Sequence, residues 1–392
     1  MKKYILQIKE SAIAKNIATL VSGNIIGYAI NTFFLLLIIR VYSPAEIGTY
    51  DLIVSDGAIV TTVVGLGLVM AILIPKEDRV AKMLCQIVNI FSIICMIIGV
   101  AILIAISDKY TLFSLNFNYK VACVLLGVYS YFFIQQQLFY AFVNRKGLYR
   151  VLFWNPIIMA ASNSSISLFL GIMGLSSPGY MIGTICSLIL SILLMIKNAN
   201  PYDEHFSLHE IKETLLIYKE FPLVQMPANV VSVVSQQIPI QYLGNVFSKA
   251  ALGGFTMANR ILSIPIALIS TQISKVYQRE LAIRNNEGEH VGNFALDLLR
   301  KNYFLAFVPI FILVVFGQPV VGIALGNKWK VSALYMTILG ADYLLKYCTS
   351  CISGTFVIVD RPRMSLLLSI ITLGINAMCF VIVGRLGYGI FK

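Results

Sequence analysis

Residues 248–265 read SKAALGGFTMANRILSIP, and they belong to a run from Ala250 to Ser274 whose only charge is Arg260. That run is long enough to cross a bilayer core, which takes about 20 apolar residues per helix. Arg260 lies eleven residues beyond Lys249, about 16 Å along a helix. A guanidinium at that depth costs on the order of 2.5–3.5 kcal/mol even on lenient insertion scales, so it needs an anion or water inside the protein. The fold follows from whether the rest of the chain supplies a membrane bundle with a wet interior.

It does on composition. The 392 residues are 58% hydrophobic and 12% charged, where a soluble domain carries about twice that share of charge. Cutting at charges leaves apolar windows at 16–39, 57–75, 83–107, 121–144, 151–196, 221–248, 250–274, 302–327, 331–359 and 364–384. The 151–196 window is too long for one helix and splits at GLSSPG (174–179), which makes eleven spans. Loops on one side of the membrane hold twenty Lys and Arg residues and those on the other hold eight. Basic loops stay cytoplasmic, which places the N-terminus inside. The net charge of +12 is thus mostly a topology signal, and no nucleic-acid partner is implied. The opening MKKYILQIKESAIAK lacks a small-residue cleavage site and reads as an amphipathic strip on the membrane surface.

The longest polar break, KNANPYDEHFSLHEIKETLLIYKE (197–220), has a helical pattern from about Leu208. The expected organisation is therefore an amphipathic segment (1–15), an N-terminal lobe of six spans (16–196), a cytoplasmic linker helix (197–220) and a C-terminal lobe (221–392). Seven cysteines fall in apolar stretches, and Cys348 and Cys351 lack a second pair of ligands. They read as packing residues, with no metal and no cofactor implied.

The lobes echo each other. SPAEIGTYDLIVS (43–55) aligns without gaps to SKAALGGFTMANR (248–260), and VNRKG (143–147) aligns to VDRPR (359–363). Both echoes keep one orientation, so the expected fold is an all-α polytopic membrane protein of two pseudo-symmetric bundles, about 11–12 helices in all, around a central cavity. Polar stripes at helical spacing mark interior faces. They run through Asn24, Tyr28 and Asn31; through Gln225, Asn229, Ser232 and Gln236; and through Asp342, Lys346, Thr349 and Ser353. The second span adds Asp51, Ser55, Asp56 and Thr62, and the fourth adds Gln135, Gln136 and Gln137.

The candidate substrate-binding residues are accordingly Arg260, Lys346, Asn24, Asn31, Gln225, Asn229, Gln236 and Gln136. Asp51, Asp56 and Asp342 are candidates for charge pairing or ion coupling, since a desolvated carboxylate can change protonation. Pro227, Pro239 and Pro265 are candidate hinges, because proline interrupts the helical ladder. Two readings of Arg260 stand side by side: it pairs with Asp51 or Asp56, or it receives an anionic substrate group such as a phosphate. Asp342 and Lys346 are one turn apart and are expected to pair locally.

Three stretches carry a family likeness: YSPAEIGTYDLIVS (42–55), YKEFPLVQMPANVVSVVSQQIPIQYLGNVFSKAALGGFTMANRILSIP (218–265) and GNKWK (326–330). They resemble the polysaccharide-transporter branch of the multidrug/oligosaccharidyl-lipid/polysaccharide (MOP) flippase superfamily, closest in type to O-antigen or capsule repeat-unit flippases (Wzx-like). The resemblance implies two six-helix lobes enclosing a cationic, hydrophilic cavity, and transport by alternating access rather than enzymatic chemistry. It implies that the substrate is an undecaprenyl-pyrophosphate-linked oligosaccharide, moved from the cytoplasmic to the periplasmic leaflet of the bacterial inner membrane. The implied partners are this lipid-linked substrate, membrane lipids and a polymerase or chain-length regulator of the same pathway, around a monomer. Members of the family usually end with a twelfth span; here the sequence closes on GRLGYGIFK after eleven, so either the last helix is missing from this chain or the count of eleven is off by one. A drug/cation antiporter of the same superfamily is the alternative, although it would want an acidic cavity. A membrane polymerase would want a large extracytoplasmic loop, and the outside loops are short.

Overall fold

The computed structural model describes residues 2–107, 119–204, 206–265 and 291–352, together with isolated positions between 270 and 284 and between 355 and 378. Among the described residues every regular element is helical. The order is α1 (Lys2–Val41), α2 (Pro44–Val64), α3 (Leu68–Ala71), α4 (Asp78–Ser107), α5 (Tyr119–Arg145), α6 (Tyr149–Ile172) and α7 (Ser176–Ile196). It continues with α8 (Leu208–Ile217), α9 (Met226–Tyr242), α10 (Lys249–Pro265), α11 (Val291–Val315), α12 (Gly317–Ala324) and α13 (Lys330–Ile352). Seven of the described helices are long and apolar enough to cross a membrane. The protein is a multi-pass membrane protein.

Helix boundaries follow local chemistry more than charge. The second span is not the 57–75 window but α2, which starts at Pro44 and stops at Val64. Ser43 and Glu46 explain the start: the Glu46 N–H donates to Ser43 Oγ at 3.3 Å, while the Ser43 N–H donates to Glu46 Oε2 at 2.7 Å. This reciprocal capping box nucleates the helix ahead of Asp51 and Asp56. The end is set by Leu66 and Gly67, at φ 52° and 68°. Likewise α11 begins well before residue 302 and carries Asp297 and Lys301 as a surface pair at 2.7 Å.

The described helices group into two compact units. One comprises Met1–Tyr42 and Leu52–Gln237, the other Ser43–Asp51 and Ile238–Lys392, so one dividing line falls between α1 and α2 and the other two inside helices, α2 and α9. In the first unit α1 packs along α6, α6 on α7, α7 on α5 and α5 on α4. At one end of that bundle a cluster of basic residues closes over acidic partners. Arg145 meets Asp78 at 2.9 Å, Lys82 meets Asp203 at 2.7 Å and Glu204 at 2.8 Å, and Arg79 meets Glu210 at 2.6 Å. Lys146 also pairs with Asp78. Tyr202 anchors the segment leading to α8: its hydroxyl donates to Gln135 Oε1 at 2.5 Å, and Gln135 Nε2 donates to Asn89 Oδ1 at 2.9 Å. In the second unit α10, α11 and α12 all pack on α13. The GNKWK stretch turns at Gly326, φ 83°, and sinks Trp329 to 1% exposure.

Candidate functional site

The two copies of the internal repeat meet. Ser43 caps α2, and at the equivalent place Ser248 caps α10, its Oγ accepting from the Ala251 N–H at 3.0 Å. One turn on, each helix presents a glycine to the other. A Cβ on Gly48 would stand 1.9 Å from the Lys249 carbonyl oxygen, and one on Gly253 would stand 1.8 Å from that of Pro44. Under the repeat alignment Lys249 is the counterpart of Pro44 and Gly253 of Gly48. The contact is therefore reciprocal, as a local two-fold demands, and only glycine permits backbones this close.

One turn past the crossing the symmetry breaks. Arg260 and Asp51 correspond in the repeat to Ser55 and Thr256, so a single copy carries the cation and the other carries the anion. Arg260 Nη2 donates to Asp51 Oδ1 at 2.5 Å. The Asp51 side chain is 11% exposed and that of Arg260 29%. Asp51 Oδ2 is buried and has no hydrogen-bond partner among the described residues. Both charges belong to one contact unit, which holds Ser43–Asp51 with α10. Asp51 is thus a partner of the mid-span arginine, and part of the guanidinium stays accessible. Asp56, further along α2, is half-buried and within electrostatic reach of Tyr119.

Around α10, the Tyr343 hydroxyl donates to Asn259 Oδ1 at 3.1 Å and ties α13 to the turn that carries Arg260. Lys346 and Asp342 pair at 2.6 Å along α13, as their spacing predicts, with the Lys346 ammonium 4.9 Å from the Tyr343 ring centroid. Both are about half exposed.

Of the other sequence-predicted positions, Pro239 and Pro265 belong to the second unit and the rest to the first. On α9 and the π-helical turn before it, Gln225 donates to Asn229 Oδ1 at 3.1 Å and Gln236 to Ser232 Oγ at 3.3 Å. They form a polar ladder along one helix, with Gln225 and Gln236 exposed. Pro227 sits in the first turn of α9, where a missing N–H costs little. Pro239 lies inside α9, just before a second π-helical turn, Leu243–Phe247; π-turns of this kind bend a helix. Pro265 ends α10, and its side chain is outside the described residues. Gln136 is 7% exposed and contacts Met159 Sδ at 3.7 Å, between α5 and α6.

Asn24 and Asn31 line a cavity of about 310 Å³ with Tyr28 on α1, Asn163 on α6, and Thr184 and Ser187 on α7. Sequence reasoning missed the last three. Their signal was present as polar residues inside the apolar windows of α6 and α7, with Asn163 four residues from Ser167.

Several solved membrane transporters share this architecture. The lipid II flippase MurJ, in an inward-closed conformation, matches at TM-score 0.74 and 13% identity over 94% of this chain and 81% of that one. An inward-facing MATE-family multidrug-resistance transporter of the MOP superfamily matches at 0.66 and 14% identity, over 88% of this chain and 87% of that one. A MOP-superfamily transporter from Pyrococcus furiosus, described as having a binding pocket of reverse polarity, matches at 0.64 and 15% identity, over 95% and 94%. At these identities the likeness defines the fold, that of the MOP superfamily. Curated proteins give no significant sequence match. The model of the polysaccharide biosynthesis protein family matches residues 37–334, most of the chain, and the protein belongs to that family.

Proposed function

We propose that the protein is a flippase for an undecaprenyl-diphosphate-linked oligosaccharide repeat unit of the O-antigen or capsule kind. It moves this lipid from the cytoplasmic to the periplasmic leaflet of a bacterial inner membrane by alternating access. Membership of the polysaccharide biosynthesis family supports the cargo class. One solved structure of the same fold is a flippase for a lipid substrate. The basic asymmetry of the loops supports a cytoplasmic N-terminus, and a polymerase or chain-length regulator would take the product on the far side.

The observation that carries this reading is Arg260, held inside an apolar helix by Asp51 yet 29% accessible. An arginine fork matches phosphate oxygens as well as it matches a carboxylate. In the substrate-free protein Asp51 neutralises the guanidinium; an arriving diphosphate, with more charge and more acceptor oxygens, displaces it. Binding and the release of the pair are then one event, which lets occupancy bias the lobes between inward- and outward-open states. Coupling to a proton or sodium gradient would run through Asp51 and Asp56. No covalent bond changes in this cycle, in keeping with a transporter rather than an enzyme.

Surface polysaccharide in a deletion strain tests the reading. Arg260→Gln combined with Asp51→Asn removes both charges together and keeps the shape, so the protein should accumulate normally while display falls at least tenfold. Arg260→Lys should retain part of the activity. Full display by the double variant at matched protein levels would remove Arg260 from the mechanism. The second reading, a drug or cation antiporter, draws on the MATE transporters of the same fold. It would be supported instead if the protein raised resistance to lipophilic cations in a strain with no polysaccharide pathway.

A further inference from the structure

The first unit contains a second recognition element that owes nothing to charge. In α1, Asn24, Tyr28 and Asn31 are exposed along one line of a membrane span, Ala18–Val41, that is otherwise strongly apolar. Polar side chains in a span turn away from hydrocarbon. Here they converge with Asn163, Thr184 and Ser187 on the wall of one cavity, and none of the residues lining it is charged. At its floor α1 and α6 run close together: a Cβ on Gly27 would lie 3.0 Å from the Pro156 carbonyl oxygen, and glycine leaves that space open.

The hydrogen-bond geometry orients the lining groups. Asn31 Oδ1 accepts from Ser164 Oγ at 3.3 Å and Asn163 Oδ1 from Ser167 Oγ at 3.1 Å, while the single Thr184 hydroxyl proton lies within reach of the Tyr180 carbonyl at 3.2 Å and of Asn163 Oδ1 at 3.3 Å. With their oxygens engaged in the bundle, the two amides keep their NH₂ groups as donors. Ser187 spends its proton on the Thr184 carbonyl at 2.7 Å, which leaves its oxygen an acceptor. The cavity therefore offers both donors and acceptors beside the apolar Pro156, Met159 and Ala160. A sugar hydroxyl both donates and accepts, and a pyranose ring adds a C–H face that packs on an apolar surface. The volume stands at the low end for ligand sites, one ring rather than a chain.

We propose that this α1–α6–α7 cavity holds one uncharged sugar residue of the translocated headgroup. The inference rests on the flippase reading but concerns a different site from Arg260. It selects neutral sugars, because no lining cation would compensate a desolvated uronate carboxylate.

The test is binding to the full-length protein in nanodiscs, using three probes: bare polyprenyl diphosphate, the same lipid bearing one neutral hexose, and the same lipid bearing one hexuronic acid. The wild-type protein should bind the hexose-bearing lipid about tenfold more tightly than the bare lipid, the worth of two or three hydrogen bonds. The hexuronate-bearing lipid should gain nothing. Asn24→Leu with Ser187→Ala should reduce the hexose gain to less than about twofold and leave the bare lipid unaffected; Thr184→Val is a second, shape-conserving variant that should act in the same direction. A hexose gain that survives both variants, or equal gains for hexose and hexuronate, would overturn the sugar site. If bare polyprenyl diphosphate fails to bind at all, the diphosphate role of Arg260 fails instead, and free hexose competing with a fluorescent hexoside still decides the cavity.

Discussion

Two ion pairs are carried by the helices α2, α10 and α13, and their bond lengths barely differ. Arg260 reaches Asp51 at 2.5 Å and Lys346 reaches Asp342 at 2.6 Å. They differ in what the fold had to do. The second pair is one turn apart on a single helix and about half exposed, so it forms wherever α13 forms. The first joins residues 209 apart in sequence, across two helices, with the carboxylate 11% exposed. Distance alone says nothing about the worth of either. Burial does, because a charge left behind in a buried site cannot be rehydrated.

The largest predicted effect follows directly. Arg260→Ala strands the Asp51 carboxylate and should destabilise the protein by about 3 kcal/mol, toward the low end for buried pairs because the guanidinium is partly accessible. Asp51→Asn with Arg260→Gln should recover most of that loss. Denaturant titration of the single and double variants checks both numbers. Strictly additive losses would mean that the two groups do not interact, and the contrast with α13 would vanish.

Next come the glycines that bring Asp51 and Arg260 together. A methyl group at Gly48 or at Gly253 would meet a backbone carbonyl well inside contact distance, and overpacking of this kind typically costs about 1–3 kcal/mol. Since the contact is reciprocal, Gly48→Ala and Gly253→Ala should cost the same within about 0.5 kcal/mol, and the double variant should cost less than their sum, because the first methyl already parts the helices. Unequal costs would show that the local two-fold is sequence coincidence.

What the sequence disclosed follows the same division between local and distant. The repeat SPAEIG/SKAALG, the helical pattern from Leu208 and the Asp342–Lys346 pair all depend on neighbours within a few residues, and each was legible. The start of α2 was not, because cutting at charges treats Asp51 and Asp56 as membrane edges; the capping box and Arg260 together allow a helix to carry them inward. Nor could three consecutive glutamines be told apart. Gln135 is spent on Tyr202 and Asn89 while Gln136 turns to Met159, since one residue of helix rotates a side chain by about 100°. Arg79, Lys82, Arg145 and Lys146 could not be read as a clasp, because their acidic partners lie 67 to 131 residues away.

That clasp extends the comparison into water. The hydrogen bond from Lys82 holds the Asp203 carboxyl below its ordinary value near 3.8, and the Ser207 backbone N–H and hydroxyl hold Glu210 low. Carboxylates depressed in the folded state contribute stability that is complete above their unfolded values and is lost as pH falls through the lower, folded ones. Backbone hydrogen exchange over 199–210, corrected for intrinsic rates, should be flat from pH 7 to about 5 and rise only below about 4. A rise centred near pH 6 would break the assignment. Because the groups are largely exposed, added salt should speed exchange at neutral pH and so shrink the acid-induced rise.

The smallest effect belongs to the pair that looks most like the largest. Lys346→Met with Asp342→Asn removes two charges from α13, yet an exposed i,i+4 pair is worth only about 0.3–0.5 kcal/mol. Lys346 alone has a second hold, the face of the Tyr343 ring, and that ring is itself tied to Asn259 beside Arg260. Lys346→Met should therefore leave unfolding nearly unchanged and reduce polysaccharide display less than twofold. If it matched the Arg260 variants in display while leaving stability intact, the half-exposed ammonium would be a substrate contact in its own right, and exposure rather than burial would mark the working charge.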